Sequence, residues 1–154
     1  MWITPEGTRL ELPNHAEQLW IEEELSNSIR FVTRFSGIQS EQLPTLSDLD
    51  SAWAEFCAEV SPVDGEKINA AINAVGIAFG QSLVNSLGLQ WVAATDEAGC
   101  EIAVVGLPGK ANFIVYPANF VAKRWERRET GFLVGAQEFI AGQYARFRAG
   151  YAAS

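Results

Sequence analysis

Apolar residues recur at intervals of three and four over the first half of the chain, which is the spacing of one face of an α-helix. Each of three such stripes lies between residues that favour the start and the end of a helix. They predict three N-terminal helices, bounded by Asn14 and Gly37, by Ser47 and Pro62, and by Asp64 and Gly88. Before them, Leu10 and Leu12 alternate with charged neighbours, which predicts either a short strand or an extended arm.

The pattern changes period after Gly88. Three short runs rich in β-branched and aromatic residues follow, at Leu89–Thr95, Cys100–Gly106 and Asn112–Tyr116. The two segments that separate them both contain glycine, and the second also contains Pro108-Gly109, which favours a tight turn. We therefore predict a three-stranded antiparallel meander.

Helical spacing returns after the third predicted strand. Asn119 is a candidate cap for a fourth helix, and a last helix is expected from about Gly131 to Arg148. No repeat, linker or low-complexity stretch divides the chain. The sequence therefore predicts a single α+β domain over residues 1–154, with three N-terminal helices, the meander and two C-terminal helices.

No charged residue occurs from Ile68, near the start of the third predicted helix, to Thr95, the end of the first meander strand. Polar residues interrupt this helix too often for a membrane span, so we interpret it as a buried central helix. Gly76 and Gly80 lie one turn apart on it, at a cost in helix propensity of up to ~1 kcal/mol each. Close approach of a neighbouring element explains such glycines, and a bound ligand is the alternative.

The net charge is −8, with 48% apolar and 19% charged residues, which fits a folded soluble domain. Such a field disfavours nucleic acid and anionic membranes and favours a basic protein partner. Glu22, Glu23 and Glu24 form the candidate acidic binding face, because we expect this triplet to be exposed. The alternative is that the charge serves only solubility.

Candidate chemistry is sparse. The chain has one histidine, His15, at the start of a helix, and two cysteines, Cys57 and Cys100, which we expect to be free thiols. We predict no catalytic residue, no metal and no cofactor. Asp96, Glu97 and Glu101 are interpreted as a solvated turn, with a hard cation as the alternative. No targeting segment is recognisable, so a cytoplasmic location is expected.

A basic cluster is the most unusual feature of the C-terminal half. Lys123, Arg124, Arg127 and Arg128 would share one side of the fourth helix at 100° per residue. One interpretation docks this side against the acidic helices of residues 1–64, with the arginine stems covering apolar surface. The other makes it a site for an anion or an acidic partner.

Four segments together resemble a catalogued family. They are Gly76–Gly80, Leu87–Val92, Asp96–Gly99 and Tyr116–Arg124. Their order is similar to that of domain-of-unknown-function family 3806, over roughly residues 73–143. The resemblance implies a bacterial setting and a family-like core at about 65–148. It implies no activity and leaves residues 1–64 to adapt this member to its own partner.

The leading hypothesis is a non-enzymatic protein-binding domain of a bacterial cytosol. Toxin-neutralising immunity proteins are similarly small, acidic and poor in catalytic residues, which is an analogy only. The alternative is a small-molecule or anion-binding domain or a cryptic enzyme. Its pocket would lie between the helix of Gly76 and Gly80, the sheet and the basic helix, and would hold Arg124 or Arg128.

Overall fold

Residues 1–153, which a computed structural model describes, form five helices around one five-stranded sheet. The elements in chain order are β1 (Trp2–Ile3), β2 (Arg9–Glu11), α1 (His15–Ser36), α2 (Leu46–Glu59), α3 (Gly65–Leu87), β3 (Gln90–Asp96), β4 (Gly99–Gly106), β5 (Phe113–Val115), α4 (Pro117–Glu126) and α5 (Leu133–Ala153). The predicted α+β class is confirmed.

The sheet is antiparallel throughout, with its strands in the order β1-β2-β3-β4-β5. The predicted meander forms β3 to β5, but the prediction of three strands is wrong because the N-terminal arm adds two more. Leu10 of β2 lies opposite Ala94 of β3 and is fully buried. The arm therefore pairs the outer edge of β3, whose backbone groups would otherwise lack partners.

Local capping explains most helix boundaries. Asn14 caps α1, where its side chain accepts from the backbone N–H of Glu17 at 2.8 Å and the Glu17 carboxylate accepts in return. Gly37 ends this helix with a φ of 73°. Asp64 and Gly88 bound α3 as expected.

Two predicted caps are wrong. The side chain of Thr45, rather than Ser47, caps α2, because its Oγ1 accepts from the backbone N–H of Asp48 at 3.1 Å. The fourth helix begins at Pro117 rather than at Asn119, since proline is well suited to the first helical position.

The central position expected for the third helix is confirmed, because α3 packs against both α1 and α4. By length and composition alone α3 could span a membrane, but half of the relevant 18-residue window is buried inside the protein, as in the core helix of a globular domain. Its fully buried side chains include Val75, Phe79 and Leu83.

Gly76 and Gly80 are packing glycines. A Cβ atom at Gly76 would lie 2.6 Å from the Cα atom of Ala118, and one at Gly80 would lie 2.5 Å from the indole ring of Trp91. Pro117 also lies within about 3 Å of both positions. The start of α4 therefore rests directly on the backbone of α3, which fixes α4 against the sheet.

Residues of α2 hold the segment that joins α4 to α5. Asp50 accepts hydrogen bonds from the backbone N–H groups of Leu133 and Val134, at 2.9 and 3.3 Å. The indole N–H of Trp53 donates to the carbonyl of Glu129 at 2.9 Å. The N-terminus of α5 is thus capped by a side chain from a distant helix rather than by its own preceding residue.

Candidate binding cleft

The glutamate triplet is divided between surface and interior. Glu22 and Glu23 are exposed as expected, but Glu24 is wrongly predicted, because its side chain is only 9% exposed. Position 24 lies on the same face of α1 as Ile21 and Ser28, which are also buried. The helical spacing of this core-facing stripe therefore places a carboxylate inside the protein.

The buried carboxylate of Glu24 is incompletely hydrogen-bonded. One oxygen, Oε1, accepts from the side chain of Asn27 at 3.2 Å, whereas Oε2 is buried without a partner among the residues described. Burial is the main cause that raises the pKa of Glu24. The hydrogen bond from Asn27 opposes this change, and the charge of Glu23 adds to it.

The prediction that four basic residues share one side of a helix is wrong. Lys123 and Arg124 lie on α4, but α4 ends at Glu126. Arg127 occupies the C-cap position, and Arg128 has a φ of 54°, in the left-handed region. The cluster therefore turns a corner instead of continuing along the helix.

Within residues 1–153, none of these four cations forms an ion pair. The guanidinium of Arg124 lies 3.7 Å from the centre of the Phe120 ring, and that of Arg128 lies 3.7 Å from the Trp125 ring. Trp125 in turn packs on Trp53 of α2. Both stacks are local to α4 and the residues that follow it, and within residues 1–153 no acidic side chain of α1 or α2 forms an ion pair with the cluster.

A cleft of about 500 Å³ lies between β5, α4 and α5. Its polar lining includes Lys123 and Arg124 from α4, with Glu129 as the acidic residue. The apolar lining comes from Phe113, Ile114, Val115, Phe120, Phe132, Ala136, Phe139 and Ile140. Two cations therefore line a groove whose walls also contain aromatic and aliphatic side chains.

The aromatic walls of the cleft are anchored in the core. Phe120 stacks on the fully buried Phe79, with ring centres 5.2 Å apart, and Phe132 lies 6.0 Å from Phe120. On α5, Ile140 is buried, but Phe139 is 65% exposed at the rim. The cleft therefore combines aromatic side chains that are packed on the core with one, Phe139, that is accessible to a partner.

The position expected from the sequence belongs to a different and smaller cleft. About 400 Å³ lies between α3, β4 and α4, against Ile77, Ile102 and Ala118. Neither Arg124 nor Arg128 lines it. The cation-bearing cleft lies elsewhere on α4 and uses α5 as a wall, a pairing that the helical patterns alone did not indicate.

The residues considered for metal or acid–base chemistry do not converge. His15 is exposed at the first position of α1, and no group of three or more possible metal ligands occurs within residues 1–153. Near the first hairpin, burial raises the pKa of Glu101, helped by the charge of Asp96 and opposed by that of Lys123. Lys123 therefore lies close enough to Glu101 for its charge to be felt.

Both cysteines are free thiols in the structure. Cys57 is partly buried on α2, and burial raises the pKa of its thiol to about 11, against an opposing effect of the Arg128 charge. Cys100 is exposed on β4. A thiol with so high a pKa is almost entirely protonated at neutral pH, so Cys57 is a poor nucleophile.

Comparison with known proteins gives one match. A family model described as "Domain of unknown function (DUF3806)" matches residues 48–135, more than half of the chain. The match begins within α2, earlier than the resemblance in the sequence indicated, and it ends in the first turn of α5. No curated protein and no solved structure matches the chain.

Proposed function

The chain belongs to the DUF3806 family, and we propose that it is a non-enzymatic protein-binding domain whose binding site is the cleft between β5, α4 and α5. One observation carries this proposal. The cleft presents an exposed aromatic rim beside two cations, Lys123 and Arg124, that have no ion-pair partner within residues 1–153.

The apolar part of the cleft supplies a reason to bind. Phe139 is exposed although it is one of the largest apolar side chains, and it adjoins Phe132 and Ile140 in the same groove. Burial of apolar surface is worth about 25 cal/mol per Å². Aromatic and arginine side chains in grooves of this kind contribute most of the affinity in protein interfaces.

The charge of the cleft indicates the chemistry of the partner. Lys123 and Arg124 outnumber Glu129, and Arg127 and Arg128 lie exposed just beyond the end of α4. We therefore propose a partner segment that carries carboxylates beside apolar side chains. This replaces the basic partner that the net charge alone favoured.

A basic partner that binds the acidic surface of α1 is the second hypothesis. Glu22 and Glu23 remain exposed on α1 and could contact such a partner, as an immunity protein contacts a toxin. A small anionic ligand in the cleft is the third, because about 500 Å³ lies within the range of small-molecule sites, ~300–1,000 Å³.

Matched variants separate the two protein-binding surfaces. In the cleft variant, Lys123→Glu is combined with Phe139→Ser, and both positions are exposed, so thermal melts should match the wild type. In the acidic-face variant, Glu22→Lys is combined with Glu23→Lys. Each protein is used as bait in a lysate of its native host, and the captured proteins are quantified by mass spectrometry.

We expect a protein that is captured by the wild type and the acidic-face variant but lost with the cleft variant. Loss only with the acidic-face variant would instead assign binding to Glu22 and Glu23. If no captured protein distinguishes either variant from the wild type, protein binding at both surfaces is wrong. Native mass spectrometry of the purified protein tests for a small anion, whose presence would favour the third hypothesis.

A further inference from the structure

We propose that the partner segment binds as an extended strand that adds to the free edge of β5, and this inference rests on the protein-binding function proposed above. Strand addition to an exposed sheet edge obtains affinity from main-chain hydrogen bonds and specificity from alternate side chains. Three observations support it: unpaired backbone groups, the course of the cleft, and the different chemistry on its two sides.

The register of the sheet shows which backbone groups of β5 are free. Asp96 and Gly99 pair across a two-residue loop, so they exchange both hydrogen bonds. Successive residues of β4 direct their N–H and C=O groups alternately to β3 and to β5. Gly99 bonds to β3, so Val104 and Gly106 bond to β5, and their pairs Val104–Val115 and Gly106–Phe113 are the hydrogen-bonded ones. The N–H and C=O of Ile114, midway between them, therefore point away from β4.

The backbone N–H of Tyr116, two residues after Ile114, is a third free group. Tyr116 continues the extended backbone with a φ of −101° and a ψ of 91°, so its N–H points the same way as that of Ile114. Its carbonyl is already used, because it accepts from the N–H of Phe120 at 2.9 Å. Within residues 1–153, β5 pairs with β4 alone, and no backbone hydrogen bond outside the sheet and the helices involves the N–H or C=O of Ile114 or the N–H of Tyr116.

The cleft runs along this edge. Phe113 and Val115 point to one face of the sheet, and Ile114 and Tyr116 point to the other, yet all four line the cleft. A cavity that touches both faces of one strand must lie beside its edge. An extended segment placed there would meet the free groups of Ile114 and Tyr116.

The two faces of an added strand would meet different surroundings. Phe113 shares its side of the sheet with Phe132 and Ile140, which belong to the same apolar cluster. Lys123 lines the cleft beside Tyr116 and Asn119, which also adjoin Glu101, and Glu101 lies on the opposite side, the side of Ile114. Successive side chains of a strand alternate between faces, so we expect a partner in which apolar and acidic residues alternate.

A pair of variants at one position tests the strand mode. Ile114→Pro removes the outward N–H but keeps the ladder to β4, since proline is tolerated where an edge N–H faces outward. Ile114→Ala loses a similar part of the side chain but retains the N–H. Comparison of the two isolates the hydrogen bond, and thermal melts verify that both are folded.

The probe is a displayed library of random twelve-residue peptides, selected on the wild type and counter-selected on the Lys123→Glu, Phe139→Ser variant. We expect enriched peptides with alternating apolar and acidic residues that bind Ile114→Pro about fivefold more weakly than Ile114→Ala. Their binding should also slow hydrogen exchange at the amides of Ile114 and Tyr116.

Three results would overturn the strand mode: equal affinity for the two Ile114 variants, apolar residues at intervals of three and four in the peptides, or no enrichment. If the lysate experiment still finds a partner that depends on the cleft, the proposed function stands and only the strand mode fails. If that experiment also finds none, both are wrong.

Discussion

The buried Glu24 carboxylate has too few hydrogen-bond donors around it. Its Oε2 is buried without a partner, and its pKa is raised mainly by burial. The folded protein therefore holds a proton at Glu24 more tightly than the unfolded chain does. Lowering the pH through the folded pKa relieves the cost of a buried charge, so this group adds to stability in acid and subtracts from it at neutral pH.

We expect Glu24→Gln to raise the free energy of unfolding by about 1 kcal/mol near neutral pH, because an unsatisfied buried charge is removed. The gain should shrink towards pH ~3, which lies below the ordinary glutamate pKa of about 4.3, so that the wild-type carboxyl is protonated in both states. Urea unfolding at the two pH values measures it, with Glu23→Gln as the exposed control. A variant no more stable than the wild type at neutral pH would contradict the account.

Residue type and helical spacing give conflicting signals at position 24. Ile21, Ser28 and Val32 lie on the buried stripe of α1 at helical spacing, and that spacing also includes position 24. Residue type suggested an exposed glutamate, whereas the spacing indicated the core. The position of a residue on the stripe was thus available from the sequence, but which of two conflicting signals prevails depends on tertiary packing.

At the scale of elements, the contact of α3 with α4 sets the geometry of the cleft. We expect Gly76→Ala to destabilise the protein by ~1–3 kcal/mol, because a Cβ atom would lie 2.6 Å from the Cα of Ala118 and would displace backbone. The control is Gly142→Ala on α5, where no atom beyond its chain neighbours and the nearby backbone of α5 lies within 4 Å of the added Cβ.

For that control we expect a gain of up to ~1 kcal/mol from better helix propensity. Denaturant unfolding of both variants measures the contrast. Opposite signs at two helical glycines would show that packing, not propensity, decides at Gly76. Equal gains would show that α4 can move away from α3 without cost.

The distant cap of α5 makes a second prediction at this scale. Asp50→Ala removes both acceptors for Leu133 and Val134, and we expect a loss of ~1–2 kcal/mol. Asp50→Asn keeps one acceptor oxygen and should cost less. Faster hydrogen exchange at the Leu133 and Val134 amides would locate the effect, and unchanged exchange in Asp50→Ala would disprove the cap.

Local chemistry made most element boundaries predictable, but it did not decide between neighbouring candidates such as Thr45 and Ser47 at the start of α2. Asn14, Gly37, Asp64 and Gly88 act through their own conformations or side chains. The end of α4 carries no such signal. There the N–H of Glu129 donates to the carbonyl of Arg124, and the N–H of Arg128 donates to the carbonyl of Trp125. This is a Schellman motif in which Arg128 occupies the left-handed position where glycine is usual.

At the scale of the whole molecule, the overall charge and the cleft charge oppose each other. The net charge is −8, whereas Lys123 and Arg124 attract carboxylates at short range. Long-range repulsion is screened as the Debye length falls from ~10 Å at 0.1 M salt to ~3 Å at 1 M. The association rate of an acidic segment with the cleft should therefore not fall as salt is added.

We expect the selected acidic peptides to dissociate faster with added salt, while their association rate stays level or rises. Glu22→Lys with Glu23→Lys should raise the association rate at low salt by reducing the repulsion. Stopped-flow fluorescence at two salt concentrations measures both rates. An association rate that falls steeply with salt would instead indicate a basic ligand on the acidic face.

The number of strands shows the limit of a sequence pattern at this scale. Strands β3 to β5 follow one another with turns between them, so their pairing could be predicted from neighbouring segments. Trp2–Ile3 is too short for a period to be visible. Leu10 alternates with charged neighbours, but this pattern does not identify its partner β3, which is remote in the chain. The cleft was missed for the same reason, because β5 and α5 meet only after the chain has folded.

The pairing of β2 with β3 has a kinetic consequence. Glu11 and Ala93 are neighbours in the sheet, yet roughly 80 residues of chain separate them. The hairpins of β3 to β5 close short loops, whereas this ladder must wait for α1, α2 and α3 to collapse. In pulse-labelled refolding, the amides of the N-terminal arm should be protected last, so a nascent domain would pass through a stage in which the outer edge of β3 is open to other chains.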